Sequence, residues 1–195
     1  MVDDSPSFNK KFRRILMHKR TFATTASVIF ALFFMVTVAQ STEYQHSLTA
    51  DKMTFDWSVA GDQLAVKLSA PTTSWVAVGF NPSNKMKDAN IIIGYVKKGK
   101  VKIVDDFGTA ATQHKSDKKI GGSSNLTVVG GTEEDGVTTI EFSIPLNSGD
   151  EKDGVINPAA DTTVILAYGE GRDSFRVKHK FHHTAVIKLS TGATK

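Results

Sequence analysis

The 195-residue chain contains no cysteine. Disulfides, thiol catalysis, Cys-ligated zinc, iron–sulfur clusters and CxxCH attachment chemistry are thereby excluded. Excess charge is also missing from most of the chain. The formal net charge is +4, but residues 1–39 hold six Lys/Arg against two Asp, which leaves 18 basic and 18 acidic residues in the remainder. An electrostatic case for nucleic acid as a partner therefore fails. No GxSxG, HExxH, Walker or dinucleotide-binding pattern occurs. "DDFG" at 105–108 lacks the Gly-rich loop, strand lysine and catalytic loop that would make it a kinase element.

What is present begins with a leader. "KKFRRILMHKR" runs into "TFATTASVIFALFFMVTVAQS", a positive segment followed by an apolar core from Val28 to Val38 and small residues near Ala39. That order is expected of a signal peptide at 1–39. The alternative is an uncleaved anchor helix, since Thr21–Ala39 approaches the roughly 20 residues that span a bilayer. Four threonines and a serine within it weaken the anchor reading. Either way the rest is expected to be extracytoplasmic: secreted, periplasmic, or anchored facing outward. Membrane contact would come only through an uncleaved leader.

Beyond Ser41 the period is two. "MTFDWSV" sets Met53, Phe55, Trp57 and Val59 on one face, "GD" turns the chain, and "LAVKL" sets Leu64, Val66 and Leu68 on one face. Further strands are expected in "SWVAVGF", "IIIGYVK", "VKIVDDF", "LTVVGG", "VTTIEFSIPL", "TVILAYG" and "TAVIKL". Nine short strands punctuated by Gly, Asn, Asp and Ser predict an all-β fold, an antiparallel immunoglobulin-like β-sandwich. About 155 residues suffice for one such core. "EEDG" at 133–136 reads as a hairpin turn. Long connections are expected at 107–124 and 147–161, where a site could lie.

Two features stand apart from the framework. Met86 lies in the polar loop "NPSNKMKDAN", either tucked against the sheet or acting as a ligand. His179, His182 and His183 cluster in "KHKFHH", either a solvated basic turn or a ligand source, although HxxHH matches no standard zinc site. His114 is expected on a surface loop. Trp57 and Trp75 are expected to be buried, and Tyr95 and Tyr168 to be core or rim aromatics.

Together, "WVAVGFNPSNKMKDANIIIGYV", "DDFGTA", "FSIPLNSGDEKD", "VILAYG" and "SFRVKHKFHHTAVIKL" resemble the DOMON domain, over residues 48–190. Members of that family are extracytoplasmic β-sandwiches related to the cytochrome domain of cellobiose dehydrogenase. The resemblance implies haem b, held without covalent linkage by Met86 and His179 as axial ligands. His182, Lys178 and Lys180 are the substitutes it leaves open, because relatives often have arginine and glycine where His182 and His183 stand, and some use lysine. Thioether and imidazole are an axial pair that raises the potential of an electron-transferring iron. The implied role is electron transfer or redox sensing, not an enzyme in its own right. A redox partner protein is implied with it, such as a membrane cytochrome or quinone-linked oxidoreductase. The alternatives are a carbohydrate-binding module without haem and a copper site at Met86 and the histidines.

Overall fold

A computed structural model describes residues 43–195. The expected leader at 1–39 lies outside them. The described residues form one compact unit. Its strands are β1 (His46–Ala50), β2 (Met53–Ala60), β3 (Gln63–Ala70), β4 (Val76–Phe80), β5 (Asn90–Lys97), β6 (Lys100–Ala110), β7 (Gln113–Ser116), β8 (Thr127–Glu134), β9 (Val137–Pro145), β10 (Asp161–Gly169), β11 (His179–Lys188) and β12 (Ala193–Thr194). They form an antiparallel sandwich of two sheets, ordered β1-β2-β3-β9-β8 and β12-β11-β10-β4-β5-β6-β7. No helix among the described residues is long and apolar enough to cross a membrane.

The alternation seen in the sequence drives this packing. Met53, Phe55 and Trp57 of β2, Leu64, Val66 and Leu68 of β3, and Ile140, Phe142 and Ile144 of β9 point inward and are buried. They meet Val78, Phe80, Ile92, Val164 and Leu166 of the larger sheet in one core. Each such side chain contributes on the order of 1.5–3 kcal/mol by leaving water. Trp57 also closes the sandwich with a polar bond: its Nε1–H donates to the Leu189 carbonyl at 2.8 Å. On the opposite face of the hairpin, Asp56 pairs with Lys67 directly across the ladder, at 3.1 Å.

The turns follow the expected chemistry. Asp135 and Gly136, at φ 51° and 76°, join β8 to β9 as a two-residue hairpin with both residues left-handed. The connection expected over 107–124 is different: β6 runs on to Ala110, β7 pairs back onto it, and a 3₁₀ turn follows at Asp117–Lys119. "TAATQHKS" hides a hairpin because its strand residues are polar and short. By contrast, the connection expected over 147–161 is a loop up to the start of β10 at Asp161, with one isolated bridge between Asn147 and Val155.

One end of the core is polar. Asp105 of β6, Asp117 of the 3₁₀ turn and Asp153 of the 147–161 loop are all buried, and one carboxylate oxygen from each lies within 4.8 Å of the others. Burial pushes the carboxyls of Asp105 and Asp117 up to about 7, reinforced by mutual repulsion, and raises Asp153 as well. No ion pair among the described residues reaches them.

A pKa higher in the folded than in the unfolded chain means that folding takes up protons, so stability is lost as pH rises through about 7. In metal-free buffer the thermal midpoint is expected to rise on going from pH 7.5 to 5.5, and Asp117→Asn should remove part of that rise, since burial raises Asp105 and Asp153 as well. A wild-type midpoint that does not rise over this interval, or a variant that rises as much as the wild type, contradicts the assignment.

Candidate functional site

The larger sheet is apolar on both faces at its centre. β4 is buried at every position, as are the first five residues of β5, so these strands do not alternate. Their inward residues meet the core. Their outward residues form two registered rows across the sheet. One runs Val104, Ile93, Ala77, Ala167, His182 from β6 to β11, and the other Asp106, Ile91, Gly79, Ile165, Thr184. The middle of this outer face is a floor of small and aliphatic groups, with Ala77 7 %, Ile91 5 % and Ile93 2 % exposed. Gly79 keeps it flat: a Cβ there would come within 2.7 Å of Ile165 Cγ1, which lies across it.

Two loops fold over this face. At one end, Ser74 Oγ–H donates to the Arg172 carbonyl at 2.7 Å and Trp75 Nε1–H to the Val177 carbonyl at 3.1 Å, fixing the 170–178 segment. Phe175 from that segment packs on Tyr95, ring centroids 4.8 Å apart. At the other end the Met86 loop is docked on β6. Asp88 N–H donates to the Gly108 carbonyl at 2.7 Å, Gly108 N–H to the Ala89 carbonyl at 2.9 Å, and Met86 N–H to the Ala111 carbonyl at 3.3 Å. Gly108 faces outward, and a side chain on it would collide with the Met86 carbonyl oxygen. The loop holds Asn81, Lys85 and Asp88 at φ 52°, 55° and 64°, which for Lys85 costs on the order of 1 kcal/mol. Strain of this kind is kept where the surroundings fix the loop. Met86 itself is half-buried.

The histidines occupy the far side of the floor. His182 sits opposite Ala167, and a register shift at Tyr168/Gly169 leaves Lys180 unpaired and sets His179 opposite Gly169. The bulge thereby turns His179 to the same outer face as His182, and their rings meet edge to face at 4.9 Å. His183 pairs with the core residue Leu166 and belongs to the other face. Partial shielding, then His182 and Lys178, hold the His179 imidazole below its ordinary pKa, which favours its neutral form. Lys180 is ion-paired with Glu170, which raises its pKa. The structure thus sets Met86 and the pair His179/His182 on one face, with β10, β4 and β5 between them.

His114 departs from expectation. It lies in β7 opposite Gly108, half-buried, with Nδ1 2.6 Å from Asp106 Oδ2. It therefore adjoins the Met86 loop rather than a solvent loop. Its only sequence signal is the short alternation in "QHKS". Tyr168 is a core aromatic stacked on Phe181, whereas Tyr95 lies on the outer face.

The DOMON domain family model matches residues 49–169, a span that includes Met86 and ends before His179. Human DBH-like monooxygenase protein 1 is 30 % identical over 142 residues, which cover 71 % of this chain and 22 % of that protein. The mouse protein of the same name is 29 % identical over 128 residues, 64 % of this chain and 20 % of that one. The chain thus spans about a fifth of these relatives. Among solved structures, the cytochrome b domain of pyranose dehydrogenase from Coprinopsis cinerea superimposes with TM-score 0.56 at 12 % identity, covering 72 % of this chain and 78 % of that one. The cytochrome domain of Myriococcum thermophilum cellobiose dehydrogenase gives TM-score 0.56 at 12 % identity, with 76 % and 83 % covered. Both likenesses establish the fold.

Gly108→Ala is expected to push the Met86 loop off β6 and to cost about 1–3 kcal/mol. Denaturant unfolding reads the cost, and hydrogen exchange at the Asp88 amide reads the loop. An unchanged midpoint together with unchanged Asp88 protection contradicts the docking described.

Proposed function

The chain belongs to the DOMON domain family, and on that footing we propose that its 48–190 domain holds one b-type haem on the outer face of the larger sheet. Met86 and His179 are the axial ligands, and the domain is an extracytoplasmic electron-transfer or redox-sensing module. The observation that carries this reading is the floor itself. An apolar, flat sheet face, edged on one side by a thioether loop and on the other by two imidazoles, suits a large planar group that needs apolar contact and two axial donors. Ala77, Gly79, Ala167, Ile91, Ile93 and Ile165 would give such a group its apolar contact.

Within this reading Met86 supplies a soft sulfur from a loop that Gly108 allows to sit close to the sheet. His179 supplies a neutral nitrogen, and His182 buttresses its ring. Haem iron bound by thioether and imidazole supplies a one-electron couple with no open coordination position, so substrate chemistry would belong to a partner. A membrane cytochrome or a quinone-linked oxidoreductase is the partner class we propose. A glycan-binding platform is disfavoured, because Trp57 and Trp75 are 0 % and 6 % exposed and both indole N–H groups are bonded to backbone.

The ligand pair is tested by substitution in chain produced with haem available. Met86→Ala should leave the sandwich folded, keep haem and lower its potential. His179→Ala should reduce haem retention by at least the ~10–100-fold that loss of an outer partner alone costs. His182→Ala should do neither to that extent. If His182→Ala empties the protein and His179→Ala does not, the ligand is misassigned.

A further inference from the structure

The buried acid cluster lies on the inner face of β5 and β6, away from the haem floor. Asp105 and Asp106 are adjacent in β6 and point to opposite faces: Asp106 to the outer row, Asp105 inward opposite Ile92. Asp105, Asp117 and Asp153 are 3 %, 0 % and 7 % exposed. Four of their carboxylate oxygens have no hydrogen-bond partner: Asp105 Oδ1, Asp117 Oδ1 and Oδ2, and Asp153 Oδ1. Only part of the demand is met, by the Asn125 N–H donating to Asp105 Oδ2 at 3.0 Å.

A second, uncharged group points the same way. Asn90, 4 % exposed, shares the inner face of the β5–β6 ladder diagonally from Asp105, and its Oδ1 also lacks any donor. The Asn125 side-chain amide donates to Asp153 Oδ2 at 3.1 Å and to the Ser123 carbonyl at 3.2 Å, meeting one further oxygen of the cluster. Carboxylate oxygens from β6, the 3₁₀ turn and the 147–161 loop thus converge, with the unpartnered Asn90 oxygen of β5 on the same face. A polar cleft of about 430 Å³, lined in part by Ser123, Asn125 and Asp150, opens beside Asn125, whose backbone N–H reaches Asp105.

We propose that Asp105, Asp117, Asp153 and Asn90 form a structural site for one calcium ion. Calcium takes six to eight oxygen ligands in irregular geometry, and this set is all oxygen, with three carboxylates and an amide. Magnesium demands a stricter octahedron and retains water, which suits a dry cluster poorly. Zinc and copper prefer nitrogen and sulfur donors, which are absent from the cluster. The ion would tie the 3₁₀ turn and the 147–161 loop to β6 and cancel most of the cluster's negative charge. Proton uptake is the competing way to satisfy the same oxygens.

The test uses the full chain stripped with a chelator and dialysed metal-free, with or without haem. Bound metal is counted after equilibrium dialysis against about 1 mM calcium or magnesium, and thermal unfolding is followed in parallel. One calcium per chain and a raised midpoint with calcium, with far less for magnesium, are expected. Asp117→Asn and Asp153→Asn should each weaken calcium binding by at least about tenfold, since even outer-partner losses cost that much. Their metal-free midpoints at pH 7.5 should equal or exceed the wild type's, which separates ligand loss from misfolding. No calcium bound and no midpoint shift, or wild-type binding in both variants, would overturn the proposal.

Discussion

The central strands of the larger sheet must be covered on both faces. β4 and β5 have apolar side chains inward and outward, and an exposed outer face of this kind would be costly in water. The sandwich covers one face. Two short loops, pinned by Trp75 and by Gly108, reach over the ends of the other and leave a floor of Ala77, Gly79, Ala167 and three isoleucines between them. The Met86 loop and the β11 histidines border the floor on opposite sides.

Strand β6 shows how a period of two separates tasks. Asp106 turns outward to His114 beside the Met86 loop, while Asp105 turns inward to the buried acid cluster. One step along the strand therefore moves a carboxylate from the outer face beside the Met86 loop to the buried cluster on the inner face.

Much of this was legible in the residues. Period-two runs identified the hairpins, the burial of both tryptophans and the "EEDG" turn, because each depends on local spacing. The conspicuous methionine in a polar loop was legible for the same reason. What was missed depends on register or on long range. The bulge that skips Lys180 and turns His179 toward His182 has no local signature. Asp105, Asp117 and Asp153 come together only in the folded chain, so no spacing relates them. β7 is too polar and short to announce itself, which left His114 assigned to a loop. The failure of "VAVGF" and "NIII" to alternate was a readable sign of a second covered face.

The central claim is that this outer face binds haem with two axial ligands. The most direct measurement is the visible absorption spectrum of the purified chain from cells supplied with haem, first oxidised and then dithionite-reduced. A low-spin spectrum with sharp, separated reduced bands is predicted. A folded but colourless protein, or bound copper without porphyrin absorption, would contradict it.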